Sequence, residues 1–166
     1  MTLYFAPLEG VTDAVFRRIH HECFPGVSKY FIPFISPTQN LAFTSRDWAA
    51  IAPENNIGVP AAPQLLTKNA ALFLWAAQAL CDMGYPEVNL NLGCPSGTVT
   101  AKGKGSGLLA DVPALERLLD GIFEKPPIPV SIKTRIGYAR VEEWDRLLDV
   151  FARYPIHELI IHPRTR

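Results

Sequence analysis

No two of the three cysteines, Cys23, Cys81 and Cys94, are spaced as a CxxC pair or as a metal-ligand set. A cysteine-based metal centre is therefore excluded. An odd, scattered set also argues against a disulfide framework and suits a reducing, cytosolic compartment. Neither sign of charge is in excess, since Lys+Arg and Asp+Glu both number 16. That removes any global basic field to attract nucleic acid, while leaving local patches open. No GxxxxGK[ST] spacing occurs, which excludes a Walker phosphate loop. No charged-then-apolar leader opens the chain, and no apolar run approaches a membrane span. The expected location is the cytoplasm.

What is present is the material of one globular domain. The chain has 166 residues, 48% of them hydrophobic and 19% charged, enough apolar side chain for a core. Proline is plentiful, at 15 residues, but dispersed. It punctuates many short connections instead of marking a disordered linker.

One stretch organises the rest: Glu87-Val88-Asn89-Leu90-Asn91-Leu92-Gly93-Cys94-Pro95-Ser96. Val88, Leu90 and Leu92 alternate with Asn89 and Asn91, the period of a strand. Gly93 and Pro95 stop it, one by permitting unusual dihedrals and the other by removing a donor. A cysteine is thus set at the mouth of a strand, with two amides just upstream. Polar side chains on a buried strand are costly unless they bind something. Cys94 itself reads two ways, as a small buried packing residue or as a reactive thiol.

The flanking chain repeats a strand–helix rhythm. Leu3–Leu8 reads as a strand, followed by a helix capped by Thr12 or Asp13 with Val15, Phe16 and Ile19 on one face. Residues 29–35 form a second strand that Pro33 weakens, and 45–52 a short helix. Residues 58–66 form a third strand with Gln64 in its apolar end. The helix after it, through 70–80, is apolar nearly all round and should be well buried. After Pro95, residues 96–107 hold Gly97, Gly103, Gly105 and Gly107 with Lys102 and Lys104, a mobile, basic, glycine-rich loop. Asp111 caps the next helix, with Leu115, Leu118, Leu119 and Ile122 in the core. A fifth strand at 128–137 carries Lys133 and Arg135 on one side. Trp144, Leu147, Leu148 and Phe151 make the face of a further helix, and 158–166 is a sixth strand bearing His162.

Such alternation means a parallel sheet with crossover helices. Glu9, Gln64, Asn91, Cys94, Lys133 and His162 all fall toward C-terminal ends of strands, where (β/α)8 barrels assemble their sites. A doubly wound sheet would draw on fewer strands. The expected fold is an α/β, TIM-type (β/α)8 barrel, here truncated to about six strands.

Six motifs in order resemble the tRNA-dihydrouridine synthase family: residues 6–13 (APLEGVTD), 63–65 (PQL), 89–96 (NLNLGCPS), 102–109 (KGKGSGLL), 131–137 (SIKTRIG) and 161–166 (IHPRTR). The third is the most specific, and the set spans essentially the whole chain. That family reduces the C5=C6 bond of uridines in tRNA with FMN, which NADPH or NADH re-reduces. The resemblance implies that Pro7, Leu8 and Glu9 line the flavin and that Gln64, Lys133 and His162 bind it. It makes Cys94 the general acid that protonates C5, and Asn91 a contact to the target uracil. Lys102 and Lys104 would hold nearby phosphates.

The match departs at Pro163, where the family usually has glycine, so an N–H is missing beside His162. It also departs in length, since an eight-stranded barrel needs at least about 200 residues. The chain is therefore expected to be the N-terminal portion (1–166) of an FMN-binding barrel, without the remaining strands and the helical tRNA-binding domain. It should bind FMN weakly or not at all and be inactive alone, with possible self-association through unpaired barrel edges. Two alternatives stay open: an FMN barrel oxidoreductase acting on a free pyrimidine, like dihydroorotate dehydrogenase, and a non-catalytic fragment.

Overall fold

The structure, a computed structural model, describes residues 2–166. Strands β1 (Leu3–Phe5), β2 (Val27–Ile35), β3 (Ala61–Leu65), β4 (Val88–Leu92), β5 (Val130–Gly137) and β6 (Leu159–Thr165) form one sheet in the order 1-2-3-4-5-6. Every neighbouring pair is parallel. Helices α1 (Ala14–Cys23), α2 (Ser45–Ile51), α3 (Ala70–Asp82), α4 (Gly97–Thr100), α5 (Val112–Phe123) and α6 (Trp144–Phe151) lie between the strands. A strand order that never reverses has no switch point, which separates this sheet from a doubly wound one and matches part of a (β/α)8 barrel.

Local chemistry accounts for the elements. Asp13, Asn69 and Asp111 cap α1, α3 and α5 by accepting from the third backbone N–H beyond each. Gly84, at φ +90°, ends α3 in the left-handed region. On α3 and α5, Phe73, Ala76, Leu80, Leu115, Leu119 and Ile122 pack against Ile32, Leu65, Leu90 and Ile132 of the sheet. Pro33 stays inside β2, and the β2–β3 ladder loses its register between Ile32 and Ile35, as a residue without an N–H requires.

Four expectations need correction. Val15 and Ile19 of α1 are exposed, and the buried side chain of that helix is Arg17. Its guanidinium donates to Thr12 O (2.8 Å), Ala50 O (2.9 Å) and Asn56 Oδ1 (2.7 Å), and burial pulls it down to about 10. Helix α1 flanks β1, the edge strand, so its outer apolar face meets no neighbour. Helix α3 buries a stripe instead of its whole circumference, leaving Ala71 and Gln78 outside. The apolar face of α6 is Leu147, Val150 and Phe151, with Leu148 41% exposed. A 3-10 turn at Val141–Glu143 precedes this helix and sets which residues point inward. Residues 96–107 are not an open loop: α4 and a 3-10 segment, Gly105–Ala110, fold them against β4 and β5.

Candidate active site

The turn after β4 is built by hydrogen bonds on both sides of Cys94. Asn91 Oδ1 accepts from the backbone N–H of Gly93 (3.0 Å) and of Cys94 (2.9 Å). The carbonyl of Cys94 accepts from Ser106 Oγ (2.9 Å) and from the Ser106 N–H (3.1 Å). Arg135 fixes the turn from β5, donating through Nε to Gly93 O (2.7 Å) and through its guanidinium to Thr165 O (2.6 Å). The turn around residue 94 is thus held from three elements, and the sulfur of the half-buried Cys94 makes none of these bonds.

Gly105 makes this packing possible. Its φ is +56°, and a Cβ there would stand 2.9 Å from Cys94 O and 3.1 Å from Cys94 Cβ. Gly105→Ala is therefore expected to cost about 1–2 kcal/mol from the left-handed backbone alone. The steric contact adds a displacement of the Cys94 turn. Urea unfolding together with the amide shifts of residues 93–96 checks this; wild-type stability with unmoved shifts would refute it.

Lys133 lies beside Asn91 in the β4–β5 register, and Arg135 beside His162 in the β5–β6 register. Burial, with Arg135 nearby, lowers the Lys133 ammonium from its usual range. Among the described residues Lys133 makes no ion pair and no hydrogen bond through its ammonium. Burial and the charges of Arg135, Lys133 and Arg164 likewise lower His162, so its imidazole is neutral at pH 7. Arg135 is lowered by its burial and by Arg164. The result is a group of donors from two adjacent strands with no carboxylate among them. Such a group is suited to an electron-rich or anionic ligand, because buried cations otherwise need partners.

The predicted residues fall into separate clusters. Gln64, Asn91 and the Cys94 turn form one hydrogen-bonded unit: Asn91 Nδ2 donates to Gln64 Oε1 at 2.7 Å, and Gln64 is 0% exposed. Lys133 and His162 belong to the cationic group. Lys104 is lowered by burial and by Lys102 and Lys68, which makes a second basic cluster beside the 96–107 segment. Lys68 was not foreseen; its signal was its position just past β3, in the same layer of strand-to-helix connections. Pro7, Leu8 and Glu9 follow edge strand β1, with Leu8 59% exposed and Glu9 paired to Arg46 at 2.9 Å. Among the described residues no hydrogen bond or ion pair joins them to the Cys94 or Lys133 groups. The sequence shows Arg135 as a cation on a strand; its grip on Gly93 and Thr165 comes with the fold.

A family model described as "Dihydrouridine synthase (Dus)" matches residues 4–166. The chain belongs to the dihydrouridine synthase family. It is 32% identical over 173 residues to a protein named "Probable tRNA-dihydrouridine synthase" of Staphylococcus epidermidis strain RP62A, covering 97% of this chain and 49% of that protein. It is also 32% identical over 178 residues to "Probable tRNA-dihydrouridine synthase 2" of Bacillus subtilis strain 168, with the same two coverages. The corresponding protein of Staphylococcus aureus strain Mu50 is 31% identical over 172 residues, again covering 97% of this chain and 49% of its own length. The chain spans about half the length of the curated relatives it matches. Among the described residues no helix is long and apolar enough to cross a membrane.

Proposed function

We propose that the protein carrying this family sequence reduces uridine to 5,6-dihydrouridine in tRNA, in the cytoplasm, and that residues 1–166 are the first six strands of its FMN-binding barrel. The observation that carries the reading is the half-buried, unpaired Lys133 in register with Asn91 on β4, the strand that leads into the Cys94 turn. The donor set fits FMN. Lys133 and the neutral His162 suit the electron-rich edge of an isoalloxazine ring, Pro7, Leu8 and Glu9 would line it from the connection after β1, and fully buried Gln64, bonded to Asn89 and Asn91, backs the site from within the sheet.

Bound FMN, re-reduced by NADPH or NADH, would supply the hydride that reaches uracil C6. Carbon C5 then takes a proton from the Cys94 thiol, a positioned general acid. The uracil must leave its stack to arrive there. Lys68, Lys102 and Lys104 neutralise the flanking phosphates, so affinity for tRNA falls as salt rises. Asn91, which holds the Cys94 N–H, would contact the uracil. On the outer sides of the sheet, Leu3 and Tyr4 at β1 and Ile161 at β6 are exposed apolar residues, which supports association between copies through these edges.

The test incubates the complete protein with FMN, NADPH and an unmodified tRNA transcript, followed by mass spectrometry of the digested nucleosides. A gain of two hydrogens at a uridine is expected. An unchanged transcript, with or without oxidation of free dihydroorotate, overturns the reading.

A further inference from the structure

A continuous chain of side-chain hydrogen bonds crosses the interior of the sheet and ends at the Cys94 turn. Glu87 stands just before β4, at the end of the sheet opposite the site. Ser131 Oγ donates to Glu87 Oε1 (3.0 Å), and Asn89 Nδ2 donates to Ser131 Oγ (2.9 Å). Gln64 Nε2 donates to Asn89 Oδ1 (2.8 Å), and Asn91 Nδ2 donates to Gln64 Oε1 (2.7 Å). Asn91 Oδ1 then receives the two backbone N–H groups of Gly93 and Cys94. All five side chains, Glu87, Ser131, Asn89, Gln64 and Asn91, are buried.

The direction of every link is dictated by the two ends. A backbone N–H only donates, and a carboxylate only accepts. Asn91 must therefore turn its oxygen toward Cys94 and its nitrogen toward Gln64. Gln64 must show oxygen to Asn91 and nitrogen to Asn89, and Asn89 in turn nitrogen to Ser131. The hydroxyl proton is left pointing at Glu87. An amide at rest has two orientations of nearly equal shape; here the hydrogen-bond order selects one at three successive positions. Lys29 Nζ, at 2.6 Å from Glu87 Oε2, holds the acceptor end in place.

We propose that this relay positions the reactive thiol: Glu87 and Ser131, remote from the site, act through Asn89, Gln64 and Asn91 to fix the turn that carries Cys94. These are positioning residues. The inference rests on Cys94 being the reacting group of the proposed function, but its test needs no tRNA, flavin or turnover, so the two readings fail separately.

The test is the rate at which iodoacetamide alkylates each cysteine of the chain, resolved by mass spectrometry across pH 6 to 9 in roughly unit steps. Exposed Cys23 and half-buried Cys81, on α3, serve as references within the same molecule. Ser131→Ala and Gln64→Met each delete one member of the relay, and with it two of its hydrogen bonds, without changing a charge. Each is expected to raise the rate of Cys94 relative to Cys23 at least about fivefold, the weight of one net buried hydrogen bond being the lower bound for two lost. The Cys81-to-Cys23 ratio should stay at its wild-type value, and so should all ratios in Thr67→Ala, which deletes a buried hydroxyl outside the relay. A Cys94 ratio unchanged in both variants overturns the proposal. So does a parallel rise of Cys81, because general loosening would expose both thiols alike.

Discussion

Replacing Cys94 by alanine in the complete protein is expected to lower uridine reduction by about 10²–10⁴-fold, the usual weight of a positioned general acid. The fold should tolerate the change. The turn is held through the backbone of residue 94, by Asn91 on its N–H and by Ser106 on its carbonyl, and through Gly93 by Arg135. The sulfur makes none of these bonds. Flavin retention should likewise be unaffected, because under the proposed reading Lys133 and His162 hold the ring. The informative pattern is therefore lost turnover with retained flavin absorbance and unchanged unfolding. Under single-turnover conditions, flavin oxidation by tRNA should slow by the same factor as steady-state turnover, which places the loss in the chemical step. Wild-type rates in Cys94→Ala would reduce this thiol to a packing residue and leave another proton donor to be found.

How much of this was readable before the fold follows from the range of each interaction. The alternation in 88–92 and the Gly-Cys-Pro stop depend on neighbours along the chain, so β4 and the placement of Cys94 at its mouth were legible. So were the caps Asp13 and Asp111, whose partners are three residues away. Asn89 and Asn91 announced themselves as polar groups on a buried strand, but their partners did not. Gln64 is 25 residues from Asn89, Ser131 is 42 residues from it, and no local pattern encodes such pairings. Arg17 was hidden for the same reason: an arginine in an amphipathic helix reads as solvated, and only the approach of Ala50 and Asn56 makes it a buried donor. The glycine-rich segment misled in the other direction. Its glycines suggested mobility, whereas Gly105 is there because the chain must pass against the backbone of Cys94.

Lys29→Met is expected to destabilise the chain by about 3 kcal/mol at pH 7, toward the low end for a broken buried pair because the cluster is partly open to water. The lysine in β2 joins the starts of two distant strands. Its ammonium lies 2.6 Å from Glu87 and 2.9 Å from Glu158, with side-chain exposures of 17% for Lys29, 7% for Glu87 and 28% for Glu158. It also stands 4.8 Å above the ring of Tyr4, and His157 approaches Glu87 at 3.8 Å. Burial pushes Lys29 down, but its hydrogen bonds to both carboxylates outweigh that and hold it above its ordinary value. Burial pushes Glu158 up, and the hydrogen bonds from Lys29 and Tyr4 bring it below its ordinary 4.5. A carboxylate lowered on folding contributes stability above its unfolded value and loses it as pH falls through the folded one. An ammonium raised on folding contributes below 10.5 and loses that contribution as pH rises through the folded value. In the wild type the cluster therefore stabilises across the neutral range and weakens on acidification. In Lys29→Met the sign reverses: two facing carboxylates without a cation repel, and protonating one relieves them. Urea unfolding at pH 7 and near pH 4.5 should show the deficit of the variant shrinking with acid. A deficit under about 1 kcal/mol, or one equal at both pH values, would make the cluster an ordinary surface pair. A deficit that shrinks with acid would identify Lys29 as the cation that holds Glu87 and Glu158 together at the foot of the relay, and so tie the stability of the sheet to the placement of the thiol at its mouth.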